Sequence, residues 1–537
     1  MRRLWLPLGW ICSVAFVQQP APRPKLVVVI VIDQFRADYL QRFKPYFGRG
    51  GFNLFLRQGA SFTEAAYQHA VTFTCPGHAV ILTGTHADAN GVIANQWYDA
   101  AAGRPEYCAV DRATTLIGGS GDGRSPRNLI TSTVGDELKR ASGGRSRVIT
   151  MAGKDRSAIM LGGHRADGAY WIVDSLVVTS MYYVKELPDW VRRFNASGRV
   201  MSYAGKSWDR VLSRAAYAAA GPDDVASEEN VGGMGRIFPH PLTATPSSRF
   251  FYAFSSSPYQ NEVLFQFARA AVINEGLGGD EDPDLLGISL SANDLVGHAF
   301  GPDSHEVMDL TVRTDRLLQG FFTFLDQRVG LRNVLIVLTA DHGVAPLPEM
   351  VRNSSLGAGR INSSKIANAV EKGLRARFGV APVPGWVAYM APPWIYLNLK
   401  ELKQRGIAIE AAERTAREAV RGVAEVHRAF TATELGELQK AGMVSGPAFS
   451  FHPARSGNVY YELKPYIVPG DHPSGTTHGS PWSYDTRVPL LWLGAAVKRG
   501  THAGPASIAD IAPTLSLILG IDRPSGSRGR VLQEMLR

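Results

Sequence analysis

Three acids and two histidines stand at spacings that suit metal chemistry. Asp33 follows the apolar run LVVVIVI, Asp294 lies in NDLVGH, and Asp341 lies in ADHG. Asp294 and His298 are four apart, so one turn of helix presents both on the same face. Asp341 and His342 are adjacent. In a regular strand they would point apart, but at a strand end the backbone can turn both towards one site. Carboxylate oxygen mixed with imidazole nitrogen suits zinc better than calcium or magnesium. Two such sets need a third histidine. GDHPSGTTHGSP offers His472 and His478; His478 is favoured because it sits in a Gly- and Thr-rich loop just before an apolar run. His86, His240, His427 and His502 have no acid at useful spacing and are read as packing or surface residues.

A hydroxyl that could use such a metal lies in HAVTFTCPGHAVILTG, residues 69–84. Pro76 suits the first turn of a helix, and AVILTG supplies its apolar continuation. Thr74 then sits at the helix N-terminus, where free N–H groups and the dipole favour negative charge. Alone, this is a plain threonine N-cap. Beside zinc it is a nucleophile, because metal coordination generates an alkoxide at workable pH.

The elements that must position these residues are strands. KLVVVIVID (25–33), DLLGISLSAND (284–294), NVLIVLTADH (333–342) and VPLLWLGAAV (488–497) are continuous apolar, β-branched runs, as expected of strands buried on both faces of a parallel sheet. The first three end in Asp33, Asp294 and Asp341, and ligands in open α/β sheets collect beyond the carboxyl ends of strands. Helical patterns alternate with the strands, as in 304–329, and 507–521 reads as a closing helix. The expected fold is α/β, a mostly parallel central sheet sandwiched by helices. Two regions break the alternation and read as insertions: about 165–250, and about 350–465, which holds two amphipathic helices (363–379 and 409–423) and a strand WIYLNL. No internal repeat is present.

Length alone suggests two to four domains, though a large α/β enzyme with insertions can be one unit, and residues 24–537 are assigned to one such catalytic domain. The chain has 537 residues, 45% hydrophobic and 20% charged, enough for a large core and too few charges for a disordered polyelectrolyte. A net charge of +9 suits solubility or attraction of anionic substrates. No basic run is interleaved with aromatics, so no nucleic-acid partner is expected. MRRLWLPLGWICSVAFVQQPAPRP has the order of a secretory signal peptide, assigned to residues 1–20. Its apolar run, 4–17, is too short for a comfortable span, so no stable membrane insertion is expected after cleavage and the location is periplasmic or secreted. Cys75 and Cys108 remain after cleavage; spacing leaves open whether they pair. No heptad or symmetric apolar stripe stands out, so a monomer is expected.

Together, in this order, these segments resemble the alkaline phosphatase superfamily, in particular its periplasmic, phosphate-irrepressible type with a threonine nucleophile. The resemblance runs from VVVIVIDQFRADYL to HGSPWSYDTRVPLLWLG. It implies two zinc ions: one held by Asp294, His298 and His478, the other by Asp33, Asp341 and His342 with the Thr74 oxygen as a further ligand. Thr74 would attack phosphorus and form a phosphothreonine. GVIANQWYD matches the segment where the family places an asparagine on the transferred phosphoryl oxygen, here Asn95. MAGKDRSAIMLGG matches its Lys-x-Arg, here Lys154 and Arg156. That pair implies phosphate monoesters as substrates, since a diester would leave buried donors unpaired at about 1–3 kcal/mol each. The alternatives are a type I phosphodiesterase or nucleotide pyrophosphatase of the same superfamily, a phosphonate hydrolase, and a non-catalytic zinc-binding protein. A sulfatase is disfavoured because CPGHA lacks the Cys-x-Pro-x-Arg order.

Overall fold

The structure, a computed structural model, describes residues 23–351, 357–383, 385–470 and 473–537. The expected signal peptide, residues 1–20, and the alternative ligand His472 lie outside them. Eleven strands form the main sheet: β1 (Leu26–Ile32), β2 (Ala60–Ala66), β3 (Val110–Ile117), β4 (Asp122–Arg124), β5 (Val148–Ala152), β6 (Gly168–Val173), β7 (Leu176–Ser180), β8 (Asp284–Leu290), β9 (Val334–Thr339), β10 (Leu490–Gly494) and β11 (Gly500–Ser507). Their order is β11-β2-β10-β9-β1-β8-β5-β6-β7-β3-β4.

The centre, β9-β1-β8-β5-β6, is wholly parallel. Every residue of β1, β8 and β9 is buried, which is why these segments are apolar without alternation. Helices flank this centre. α1 (Thr74–Thr83), α2 (Asp155–Gly162) and α6 (Ile511–Leu519) form one packed group, and α3 (Pro258–Asn274) packs with α5 (His305–Arg328). α4 (Ala292–Phe300) follows β8 directly.

Two expectations need correction. The run at 488–497 does form a strand, β10, but it lies antiparallel to both β9 and β2. The chain reaches β10 from the loop that carries His478 through a short helical turn, Ser483–Thr486, at the carboxyl end of the parallel strands, so it runs back down the sheet. Asp294 does not end a strand: β8 stops at Leu290, and Asp294 lies in the first turn of α4.

Of the region at 165–250, residues 168–180 supply β6 and β7 of the main sheet; short elements follow. The region at 350–465 builds a second, antiparallel sheet from Val387–Ala391, Trp394–Leu397, Val426–Thr431 and Val459–Leu463. Ser363–Phe378 and Ile409–Arg421 bury Ile366, Val370, Leu374, Ala412, Ala416 and Val420 in a core shared with this sheet. Trp394, Tyr396 and Tyr460 instead join a cluster with Trp97, Cys75 and Cys108. The second sheet therefore braces the segment that follows Asn95.

Candidate active site

The site forms where β1, β8 and β9 end. Asp33 is the first residue after β1, and Asp341 and His342 follow β9 by one residue. Asp294 and His298 share one face of α4, as their spacing requires. His478 comes from the loop before β10.

Helix α1 begins at Thr74 with Pro76 in its first turn, as the sequence suggests, but Thr74 does not cap it. Phe73, in extended conformation, holds the N-cap position, Thr74 is the first helical residue, and no side chain caps the helix. Thr74 is therefore not the cap, and its hydroxyl is not spent on a backbone N–H. Thr74 Oγ1 lies 3.4 Å from His342 Nε2 and is buried. Gly77 makes this approach possible: a Cβ there would stand 2.2 Å from the Asp341 carbonyl oxygen.

Two groups of side chains converge. One is Asp294, His298 and His478; the other is Asp33, Asp341 and His342. His298 and His478 place Nε2 at 3.2 and 3.4 Å from Asp294 Oδ1. His342 Nε2 lies 3.5 Å from Asp33 Oδ1 and 3.3 Å from Asp341 Oδ2. The other ring nitrogens fix the tautomers. His298, His342 and His478 each place Nδ1 beside a backbone carbonyl, those of Thr476 (2.7 Å), Gly343 (2.9 Å) and Thr72 (2.8 Å). A carbonyl only accepts, so Nδ1 carries the proton in each ring; burial lowers His342 and His478, whose neutral rings present a lone pair on Nε2, whereas the Asp294 charge outweighs burial and raises His298. Lone pairs of imidazole and carboxylate aimed at one another repel unless a cation lies between them. Asp33 Oδ1 is also buried with no hydrogen-bond partner. The donor set thus fits two metal ions of zinc type.

The electrostatics agree. Burial, reinforced by Asp341, pushes the Asp33 carboxyl well up, against the pull of Lys154. Burial also raises Asp294, but His298 and Lys154 outweigh it and hold that carboxyl well below its ordinary value. Burial lowers His342 to about 3, so its imidazole is neutral. Lys154 Nζ lies 2.8 Å from Asp33 Oδ2 and 2.5 Å from Asp294 Oδ2. It is a cation set between the two groups.

Lys154 and Arg156 open α2, and the Lys154 amide donates to Ser291 Oγ at 3.1 Å. Arg156 points one guanidinium nitrogen at the Tyr107 hydroxyl, 3.4 Å away. Asn95 Oδ1 accepts the Cys75 amide at 2.8 Å, which orients the side-chain amide and leaves its N–H donors for another partner. Cys75 and Cys108 form a disulfide, resolving the pairing that spacing left open.

Three neighbours escaped the sequence reading. Gln34 adopts a positive φ of 62°; its amide donates to Asp341 Oδ1 at 3.1 Å and its Nε2 to Asp294 Oδ1 at 2.9 Å. Nothing in the sequence marks this strained backbone, which the Asp294 and Asp341 carboxylates hold in place. His78 places Nδ1 3.1 Å from Asp341 Oδ2 and Nε2 2.8 Å from Ser289 Oγ; its position one turn after Thr74 was the available signal. Tyr107 is the third. Among the histidines set aside, His240 does have an acid, Glu306, at 2.9 Å. The partner lies far along the chain, where spacing cannot reveal it.

Comparison with known proteins places the chain in a family. Residues 27–479 match the family model described as type I phosphodiesterase / nucleotide pyrophosphatase. Alkaline phosphatase PhoV of Synechococcus elongatus is 34% identical over 97% of this chain and 94% of its own. A Myroides odoratus protein named calcium-transporting ATPase is 34% identical over 96% of this chain and 95% of its own. Alkaline phosphatase PafA of Elizabethkingia meningoseptica is 32% identical over 99% of both chains. The crystal structure of wild-type PafA superimposes with a TM-score of 0.90 at 32% identity, covering 96% of this chain and 99% of that one. The chain belongs to the type I phosphodiesterase / nucleotide pyrophosphatase family, within the alkaline phosphatase superfamily.

Proposed function

We propose that the chain is an alkaline phosphatase, a zinc-dependent hydrolase of small phosphate monoesters acting through a phosphothreonine at Thr74. One observation carries this reading: a buried, uncapped hydroxyl at a helix N-terminus, 3.4 Å from a neutral histidine, beside two convergent carboxylate–imidazole groups. Bound by Asp294, His298 and His478 and by Asp33, Asp341 and His342, two zinc ions would supply charge that favours the Thr74 alkoxide, offsets the leaving alkoxide and activates water. The Thr74 oxygen, its proton lost to solvent, attacks phosphorus in line, the ester P–O bond breaks, and the leaving alkoxide takes a proton from water and departs as the alcohol. Water then cleaves the phosphothreonine and frees phosphate. The α1 N-terminus favours the negative charge of the bound group throughout.

Lys154, Arg156 and Asn95 set the substrate class. A monoester dianion has three non-bridging oxygens, and these side chains have donors for them. A diester carries one charge fewer and an extra group, so it leaves a buried donor unpaired, at about 1–3 kcal/mol. This favours monoesters over the phosphodiesterase activity that gives the family model its name. ATP cleavage, named for the Myroides relative, also occurs at phosphorus, so ATP belongs in the substrate panel. An exported enzyme fits the basic and then apolar start of the sequence and a disulfide, which persists in oxidising compartments.

The test is release of p-nitrophenol from its phosphate monoester and from the bis-ester. The monoester is expected to be the better substrate. Lys154→Ala or Arg156→Ala is expected to cut monoester kcat/KM by about a hundredfold or more, and bis-ester hydrolysis far less. Preference for the bis-ester, or equal losses on both, contradicts the assignment.

A further inference from the structure

Arg156 has a guanidinium short of protein partners. Its Nε is buried with no hydrogen-bond partner, and Nη1 lies 3.4 Å from the Tyr107 oxygen. The phenol proton is already committed, because Tyr107 OH donates to Asp155 Oδ1 at 2.5 Å. The phenol therefore turns its lone pairs to Arg156. Asp155 Oδ2 accepts from Arg124 Nε at 2.6 Å, and the Arg124 guanidinium lies 5.2 Å from the centre of the Tyr107 ring. Burial, reinforced by the Asp155 charge, pushes the Tyr107 hydroxyl above its ordinary value against the pull of Arg156, so the group remains a neutral phenol.

The backbone under Tyr107 is equally fixed. Asn128 Nδ2 donates to the carbonyls of Tyr107 and Cys108 at 3.3 and 3.2 Å. Cys108 is bonded to Cys75, the residue after Thr74, and the Cys108 amide donates to the Asn95 carbonyl at 2.9 Å. The phenol thus has a set position relative to the nucleophile.

We infer that Tyr107 is a positioning residue. It directs the Arg156 guanidinium so that its unpartnered donors face the transferred phosphoryl group, and so contributes to selection of dianionic monoesters. A flexible arginine discriminates between substrates only when its rotamer is locked by neighbours. This inference rests on the role proposed above for Arg156.

The test is a double-mutant cycle on the full-length enzyme with Tyr107→Phe and Arg156→Ala, reading kcat and KM for p-nitrophenyl phosphate and for the bis-ester. Tyr107→Phe keeps the ring and removes only the hydroxyl, and a melting curve confirms that the variant folds. In the wild-type background it is expected to lower monoester kcat/KM by about tenfold, with a smaller loss for the bis-ester. In the Arg156→Ala background the same substitution is expected to cost less than about twofold. Asp155→Asn, which weakens the acceptor that orients the phenol, is expected to show the same dependence on Arg156. Equal losses in both backgrounds, or no loss from Tyr107→Phe while Arg156→Ala is impaired, overturn the role of Tyr107 alone. A silent Arg156→Ala overturns the dianion reading, and this inference with it.

Discussion

In the proposed reaction, Thr74 is the residue on which the chemistry turns. Its hydroxyl is buried and makes no cap, so a polar group is held out of water without the usual backbone partner, facing a histidine whose Nε2 is a lone pair. Thr74→Ala is expected to lower turnover by at least about a thousandfold. Acid-quenched wild-type enzyme is expected to carry a phosphoryl group on the peptide containing Thr74 by mass spectrometry. Normal turnover in the variant, or phosphate on another residue, removes Thr74 from its role. The ligand candidates were legible because helical spacing and strand ends are local properties of sequence. Gln34 was not, because its left-handed backbone is imposed by Asp294 and Asp341, which lie far along the chain.

Between residues and molecule stand the segments that carry Thr74, Asn95 and Tyr107. The apolar runs of β1, β8 and β9 announce buried strands, and α5 follows from its periodicity. The direction of β10 was not legible, since it depends on where the preceding loop leaves the chain. The Cys75–Cys108 bond encloses a separation of 33 residues, from the start of α1 past Asn95 and Tyr107. Replacing both cysteines with serine is expected to cost about 2–5 kcal/mol of unfolding free energy. It is also expected to lower monoester turnover in variants that remain folded, because Asn95 and Tyr107, which lies against Arg156, lose their tie to Thr74. Unchanged denaturation midpoint and turnover contradict that tie.

Across the molecule, pH acts on stability through buried acids. Glu228 is buried, and burial together with Glu306 raises its carboxyl to about 9 from 4.5. An acid whose folded-state value lies above its unfolded value favours the protonated form, so its contribution to stability is fully present below 4.5 and is lost as pH rises towards 9. Wild-type melting temperature is therefore expected to fall across that window more steeply than that of Glu228→Gln, and parallel curves exclude the effect. Glu228 and its neighbour Glu306 come from distant segments, which is why no spacing in the sequence marks them. The measurement that decides the account is the metal content of the purified, active enzyme by elemental analysis. About two zinc ions per chain are expected, lost with turnover on chelation and restored together by zinc. Full activity in protein free of metal contradicts the account.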